Sequence, residues 1–197
     1  MPILRFASCF LLAAALTGCA TTSNVANPAA TVGAYRDTID LAGKLAVNYQ
    51  REGQPGSVSG NYTWTQRPGR VDVTLTSPLG QTVAEITVTP DAATLTQRVD
   101  RPPLVAKDID ALTQQALGYA LPVNGLRDWL QGYATDAQGK RIAVSPANGN
   151  LVTRDGWRLR FLEWQDGAAT PAPRLISAER TATGGELQIR ISINPAG

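Results

Sequence analysis

Between residues 44 and 95 the chain alternates apolar and polar residues with period two, interrupted only by turn clusters. Leu45, Val47 and Tyr49 alternate with Lys44, Ala46 and Asn48; Tyr62 and Trp64 with Asn61, Thr63 and Thr65. Val71, Val73 and Leu75 follow, then Ala84, Ile86 and Val88, then Ala93 and Leu95. Gly53-Gln54-Pro55-Gly56 and Arg67-Pro68-Gly69-Arg70 are turn sequences between these runs. A helix would scatter a period-two pattern around its circumference, whereas a strand turns every second residue to one face. The connections are too short for the crossovers that parallel strands need. The pattern therefore commits the chain to an antiparallel meander with one apolar face.

The middle of the chain changes period. Over residues 106–118, Ile109, Leu112, Ala116 and Leu117 fall at helical spacing, with Asp108 placed to cap the start and Gly118 to stop the end. A second helix is expected after Pro122, capped by Asn124, carrying Leu126, Trp129 and Leu130 on one face and ended by Gly132. A third, short helix is expected at residues 35–41. Strands then resume: Trp157, Leu159 and Phe161 alternate with arginines, Leu175 and Ile176 follow Pro173, and Leu187, Ile189, Ile191 and Ile193 close the series. So few helices cover only one side of a curved sheet. The expectation is an α+β fold, an unclosed antiparallel β half-barrel with a helical lid. Such a barrel either encloses a ligand cavity or fills with side chains.

The amino terminus sets the compartment. Arg5 precedes an apolar run over residues 6–16 and then Leu16-Thr17-Gly18-Cys19. A charged start, a short apolar middle and small residues at the cut are the pattern of a secretory signal. Its ending resembles a bacterial lipobox, which makes Cys19 the first mature residue and the carrier of N-acyl and diacylglycerol lipid. By the same resemblance, Ala20 after that cysteine permits export to the outer membrane. The chain divides into a signal peptide at 1–18, a lipidated Cys19 with a flexible tether at 19–34, and a domain at 35–197. The small, polar stretch Ala20-Thr21-Thr22-Ser23-Asn24 suits a tether. Cys9 and Cys19 are the two cysteines, so the mature domain has no internal disulfide and no thiolate nucleophile.

Chemistry is largely excluded by composition. There is no histidine, which removes the commonest general base, metal ligand and pH switch. The lysines Lys44, Lys107 and Lys140 sit in no nucleophile motif. Asp108 with Asp110, and Glu163 with Asp166, are better read as a helix start and a solvated loop edge than as catalytic pairs. Gly139-Lys140-Arg141 lacks the spacing of a phosphate loop. Eighteen Lys+Arg against sixteen Asp+Glu leaves no basic excess for nucleic acid. Of Trp64, Trp129, Trp157 and Trp164, the first three follow the apolar faces and read as core or cavity wall; Trp164 has the opposite parity of its strand.

Several stretches, in this order, carry a family resemblance: the lipobox, Gly43-Lys44-Leu45-Ala46-Val47, Asn61-Tyr62-Thr63-Trp64-Thr65-Gln66 and Leu75-Thr76-Ser77-Pro78-Leu79-Gly80. Leu117-Gly118-Tyr119-Ala120-Leu121-Pro122, Leu126-Arg127-Asp128-Trp129-Leu130-Gln131-Gly132, Asp155-Gly156-Trp157 and Pro173-Arg174-Leu175 continue it. The sequence resembles the LolB family, outer-membrane lipoproteins that receive other lipoproteins from the periplasmic carrier LolA. It departs at its end, Ile193-Asn194-Pro195-Ala196-Gly197, where family members often carry Trp. The resemblance implies a lipid-anchored monomer in the periplasm-facing outer membrane. Its partners would be a LolA-type carrier, acylated cargo and membrane lipid. The expected acyl-chain cavity is lined by Val47, Tyr62, Trp64, Val73, Ile86, Leu112, Trp129 and Phe161. A non-catalytic envelope scaffold with a filled β core is the alternative.

One connection stands out. Ser77-Pro78-Leu79-Gly80 reads as a type I turn: Ser suits the first position, Pro has the fixed φ of the second, and Gly suits the fourth. Leu79 is then at the apex. By itself the turn favours a Leu79 folded back onto a hydrophobic patch, as leucines usually are. The family resemblance implies the reverse, with Pro78, Leu79 and Gly80 forming a protruding loop that delivers cargo into the membrane.

Overall fold

Each alternating run is a strand in the computed structural model, which describes residues 28–51, 54–97, 101–117, 121–182 and 185–195. β1 (Ile39–Arg51), β2 (Gln54–Arg67), β3 (Arg70–Thr76), β4 (Thr82–Val88), β5 (Ala93–Thr96) and β6 (Leu104–Ala106) form the first meander. β9 (Asn150–Val152), β10 (Arg158–Trp164), β11 (Pro173–Ala182) and β12 (Gly185–Ile193) form the second. The two join because the last strand pairs with the first, giving the order β6-β5-β4-β3-β2-β1-β12-β11-β10-β9. All neighbours are antiparallel. The ten-stranded sheet is open, with β6 and β9 as its edges.

The register puts the apolar parity of every strand on one face. Val47 lies opposite Val58 and Ile189, and Leu45 opposite Ile191. Trp64 lies opposite Val73, and Val73 opposite Ile86. Ile191 lies opposite Ile176, which lies opposite Phe161. These rows build one continuous core running from Val32 to Ile193. The parity of Trp164 has a local cause. The register of β10 against β11 shifts on either side of Glu163, and the extra residue, Leu162, is exposed. This bulge returns Trp164 to the inner side, where it stacks on Phe161 at 6.0 Å.

Helix α1 (Ile109–Leu117) follows edge strand β6 and buries Ile109 and Leu112. It starts directly after Asp108, and Ala106 belongs to β6. Asp108 caps it as expected: its Oδ1 accepts from the Ala111 N–H at 2.8 Å. Gly118 lies outside the described residues. Helix α2 (Val123–Trp129) corrects the expected cap. Pro122 occupies the capping position with no side-chain hydrogen bond, so Asn124 falls inside the first turn. Gly132, with φ 77°, donates to the Trp129 carbonyl and ends the helical segment. A small ribbon, β7 (Tyr133–Thr135) with β8 (Arg141–Ala143), follows and is bridged to the main sheet by Asp136 and Thr153.

The expected helix at 35–41 does not form. Ile39 and Leu41 are instead the first rungs of β1, opposite Gln66 and Trp64. Ladder bonds and burial outweigh local helix propensity there. Ahead of β1, residues 28–38 form a strap with no helix or strand. Residues 28–34, expected to end the tether, are bound to the body: Val32 is buried and its N–H donates to the Val144 carbonyl, and the Ala147 N–H donates to the Pro28 carbonyl. Tyr133 donates to the Gly33 carbonyl at 2.7 Å. The fully buried Gln66 amide donates to the Tyr35 hydroxyl and to the Arg36 carbonyl. Arg141 fastens this junction. Its guanidinium lies 3.8 Å from the Tyr35 ring centre and 4.9 Å from that of Tyr133, and donates to Asp128 at 2.7 Å. Cation–π contacts contribute about 0.5–2 kcal/mol and a half-exposed ion pair up to about 1. Arg141→Ala should therefore lower stability by about 1–2 kcal/mol, read by urea unfolding, and should speed proteolysis within residues 28–38.

Candidate functional site

The Leu79 turn joins β3 to β4 and is held from both sides. Gly80 N–H donates to the Ser77 carbonyl at 2.9 Å and Ser77 N–H to the Gln81 carbonyl at 2.8 Å. Ser77 Oγ also accepts from the Gln81 N–H. Gly80 sits at φ 82°, a conformation that glycine adopts without strain. A register shift between Leu75 and Thr76 leaves Val83 outside the ladder and half exposed. On this fixed turn Leu79 is 89% exposed, the highest value of any large apolar side chain described. The reading in which Leu79 folds back onto a patch is thereby overturned: Pro78, Leu79 and Gly80 all face solvent. The strand directions place this turn at the same end of the sheet as the β1–β2 and β11–β12 hairpins.

The eight residues expected to line a cavity do come together. Val47, Tyr62, Trp64, Val73, Leu112, Trp129 and Phe161 are buried on the inner side, with half-buried Ile86 packed against them. Burial pushes the Tyr62 hydroxyl well above its usual range, and it donates to the Ser192 carbonyl at 3.3 Å. In this structure these side chains meet one another. A recess of about 90 Å³ reaches the set at Trp129, room for roughly three waters. A wider groove of about 520 Å³ lies at the opposite end of the sheet from Leu79, along the strap and Ile193, and contains none of the eight.

Sequence reasoning missed Arg180 in the small recess. It follows the inward parity of Ile176 and Ala178, which was the available signal. Its guanidinium lies 4.7 Å from the Trp157 ring centre, and Trp157 meets Trp129 edge-on at 5.7 Å. Its Nε is buried without a hydrogen-bond partner. Asp110 and Asp155 share the recess. Burial, with Asp108 and Asp155 adding to it, raises the Asp110 carboxyl above the usual range, while Arg180 opposes the rise. Cys19 lies outside the described residues, as do Gly118, Tyr119 and Ala120.

Residues 37–195 match the family model described as outer membrane lipoprotein LolB. The chain belongs to the LolB family. It is 41% identical over 160 residues to the outer-membrane lipoprotein LolB of Cupriavidus taiwanensis, covering 78% of each chain. It is 36% identical to that of Thiobacillus denitrificans over 191 residues, covering 95% of this chain and 94% of the relative. The LolB of Bordetella petrii is 33% identical over 186 residues, covering 93% and 88%. Among solved structures, a LolA superfamily protein of Nitrosomonas europaea superposes with TM-score 0.49 at 11% identity, covering 83% of this chain and 87% of that one. Family membership places the protein among the outer-membrane lipoproteins of the lipoprotein localisation pathway.

Proposed function

We propose that this protein accepts acylated lipoproteins from a LolA-type carrier, shelters their acyl chains between the helices and the inner face of the sheet, and inserts them into the outer membrane. The observation that carries this reading is Leu79 on a hydrogen-bonded turn, at 89% the most exposed large apolar side chain among the described residues. Its anchor is the lipid on Cys19. Exposed acyl chains are held from water by about 0.8 kcal/mol per CH₂, so cargo crosses only inside a sequence of shelters. Direction follows the affinity difference between successive shelters, and no nucleotide is consumed at this step.

The filled inner face sets a requirement. The recess of about 90 Å³ is far smaller than an acyl chain, so α1 and α2 act as a lid that moves off the sheet when cargo enters. Trp129 lies on α2 and Trp157 on the sheet side, in ring contact. Entry of an acyl chain separates them. The expected result is transfer of cargo from loaded carrier to the chain made without Cys19, accompanied by a change in tryptophan emission that Trp157→Phe diminishes. A scaffold lipoprotein would also have a packed β core. If cargo stays on a carrier shown to be competent, the scaffold reading replaces this one.

A further inference from the structure

We propose that the outer face of the sheet beside the Leu79 turn is a binding groove for the phosphate of an anionic phospholipid headgroup. The proposal rests on the reading that Leu79 enters the bilayer. A groove of about 410 Å³ crosses β2, β1 and β12 with Pro78 as one wall. The register builds it. Lys44 lies opposite Asn61 on one side and Ser192 on the other; Ala46, one rung away, lies opposite Ser59 and Arg190. Lys44 and Arg190 are thus diagonal neighbours, with backbones about 7–8 Å apart, a spacing from which two long side chains reach one phosphate. Ser59, Asn61 and Ser192 supply further donors.

The charges in this groove are uncompensated. Among the described residues no carboxylate lines it. The acids nearest along the same face are occupied: Glu179 accepts from Arg160 and Gln188 with Arg158 close by, and Glu163 accepts from Arg174. Among the described residues neither Lys44 nor Arg190 has an ion-pair partner. Two unpaired cations in one concavity call for an anion. The depth agrees with a lipid source. The headgroup layer is about 5–8 Å thick on each side of the bilayer, and one residue spans at most about 3.6 Å. Pro78, which adjoins Leu79, is one wall of the groove, so a Leu79 in the hydrocarbon brings the groove beside the headgroup layer. The Asn61 amide donates to the Ser77 carbonyl at 3.4 Å, tying the groove wall to the base of the turn.

The test uses the chain from residue 20 onward, which retains the whole core from Val32 to Ile193 but lacks the lipidated cysteine. Binding is measured to vesicles of phosphatidylcholine alone and of phosphatidylcholine with phosphatidylglycerol. Each basic residue near an anionic surface strengthens binding roughly fivefold, so the pair should produce a preference of roughly 30-fold for the anionic vesicles. K44Q/R190Q should abolish that preference and leave binding to phosphatidylcholine alone unchanged. Ser59→Glu, which puts a carboxylate into the groove without touching either cation, should do the same, and K44R/R190K should retain the preference. A double variant that still prefers anionic vesicles, or a wild type with no preference, overturns the groove. Leu79→Glu should weaken binding to both vesicles. Wild-type binding by Leu79→Glu overturns the membrane-tip reading, while the groove is still judged by the preference of the double variant.

Discussion

Leu79→Glu should separate folding from delivery. The side chain is 89% exposed and makes no core contact, so the urea midpoint should shift by less than about 0.5 kcal/mol in free energy. Uptake of cargo from the carrier should be unchanged, since Leu79 is not among the inner-face residues. Delivery into the membrane should fall sharply. Burying one leucine is worth roughly 1.5–3 kcal/mol, which corresponds to roughly 10- to 160-fold in rate if the contact forms at the transition state. A carboxylate adds its own penalty on entering hydrocarbon, about 2.5–3.5 kcal/mol at full depth. The same magnitude explains why one leucine suffices. It is enough to dip a loop into lipid and too little to hold a protein there, which is the role proposed above for a lipid on Cys19. Transfer assays with liposomes, run beside unfolding curves, decide it. Normal insertion by the variant would sink the probe role, and unfolding would make Leu79 structural after all.

Gly43→Ala should have the opposite profile. A Cβ at residue 43 would sit 1.8 Å from the Ser192 carbonyl oxygen and 3.0 Å from the Tyr62 ring. The obstructing group is backbone in the strand that pairs with β1, and Gly43 lies opposite Ile193 and Tyr62 in the register. Relief requires β12 to move away from β1, which opens the one seam joining the two meanders. Overpacking of this kind typically costs about 1–3 kcal/mol when side chains can yield. Here a main-chain carbonyl must yield, so we expect a loss of at least about 3 kcal/mol, or failure to fold, measured by denaturant unfolding and by near-ultraviolet circular dichroism. A Gly43→Ala chain as stable as the wild type would mean that β1 and β12 are farther apart than described.

The long strands were legible because period-two alternation has one physical interpretation. The three-residue strands β6, β7, β8 and β9 were not, since three residues hold too little alternation to recognise. Residues 35–41 were misread for a related reason. Nothing local distinguishes Ile39 and Leu41 from helix residues; their strand conformation comes from Gln66 and Trp64 on the facing strand. Asp108 was readable as a cap because Asp before an apolar helical run has a single strong use. Asn124 failed as one because Pro122 starts α2 earlier. Trp164 kept an anomalous parity until the bulge at Leu162 accounted for it. The inward Arg180 obeyed parity all along, but parity alone gives no reason to bury a guanidinium.

By itself the sequence determined the antiparallel sheet, its apolar face and the turn at Ser77-Pro78-Leu79-Gly80. All of these follow from patterns within about ten residues, where backbone geometry and local hydrogen bonding decide. Three things were settled only by tertiary structure: the outward direction of Leu79, the burial of Ile109, Leu112 and Trp129 of the two helices in the core, and the meeting of Lys44 with Arg190. The last depends on β1 pairing with β12, a contact between opposite ends of the domain, while the first depends on what lies beside the β3–β4 hairpin. A turn sequence prescribes the shape of its backbone and leaves open what lies beside it. Whether a leucine at its apex finds a patch or meets solvent is decided by the neighbours the sheet supplies.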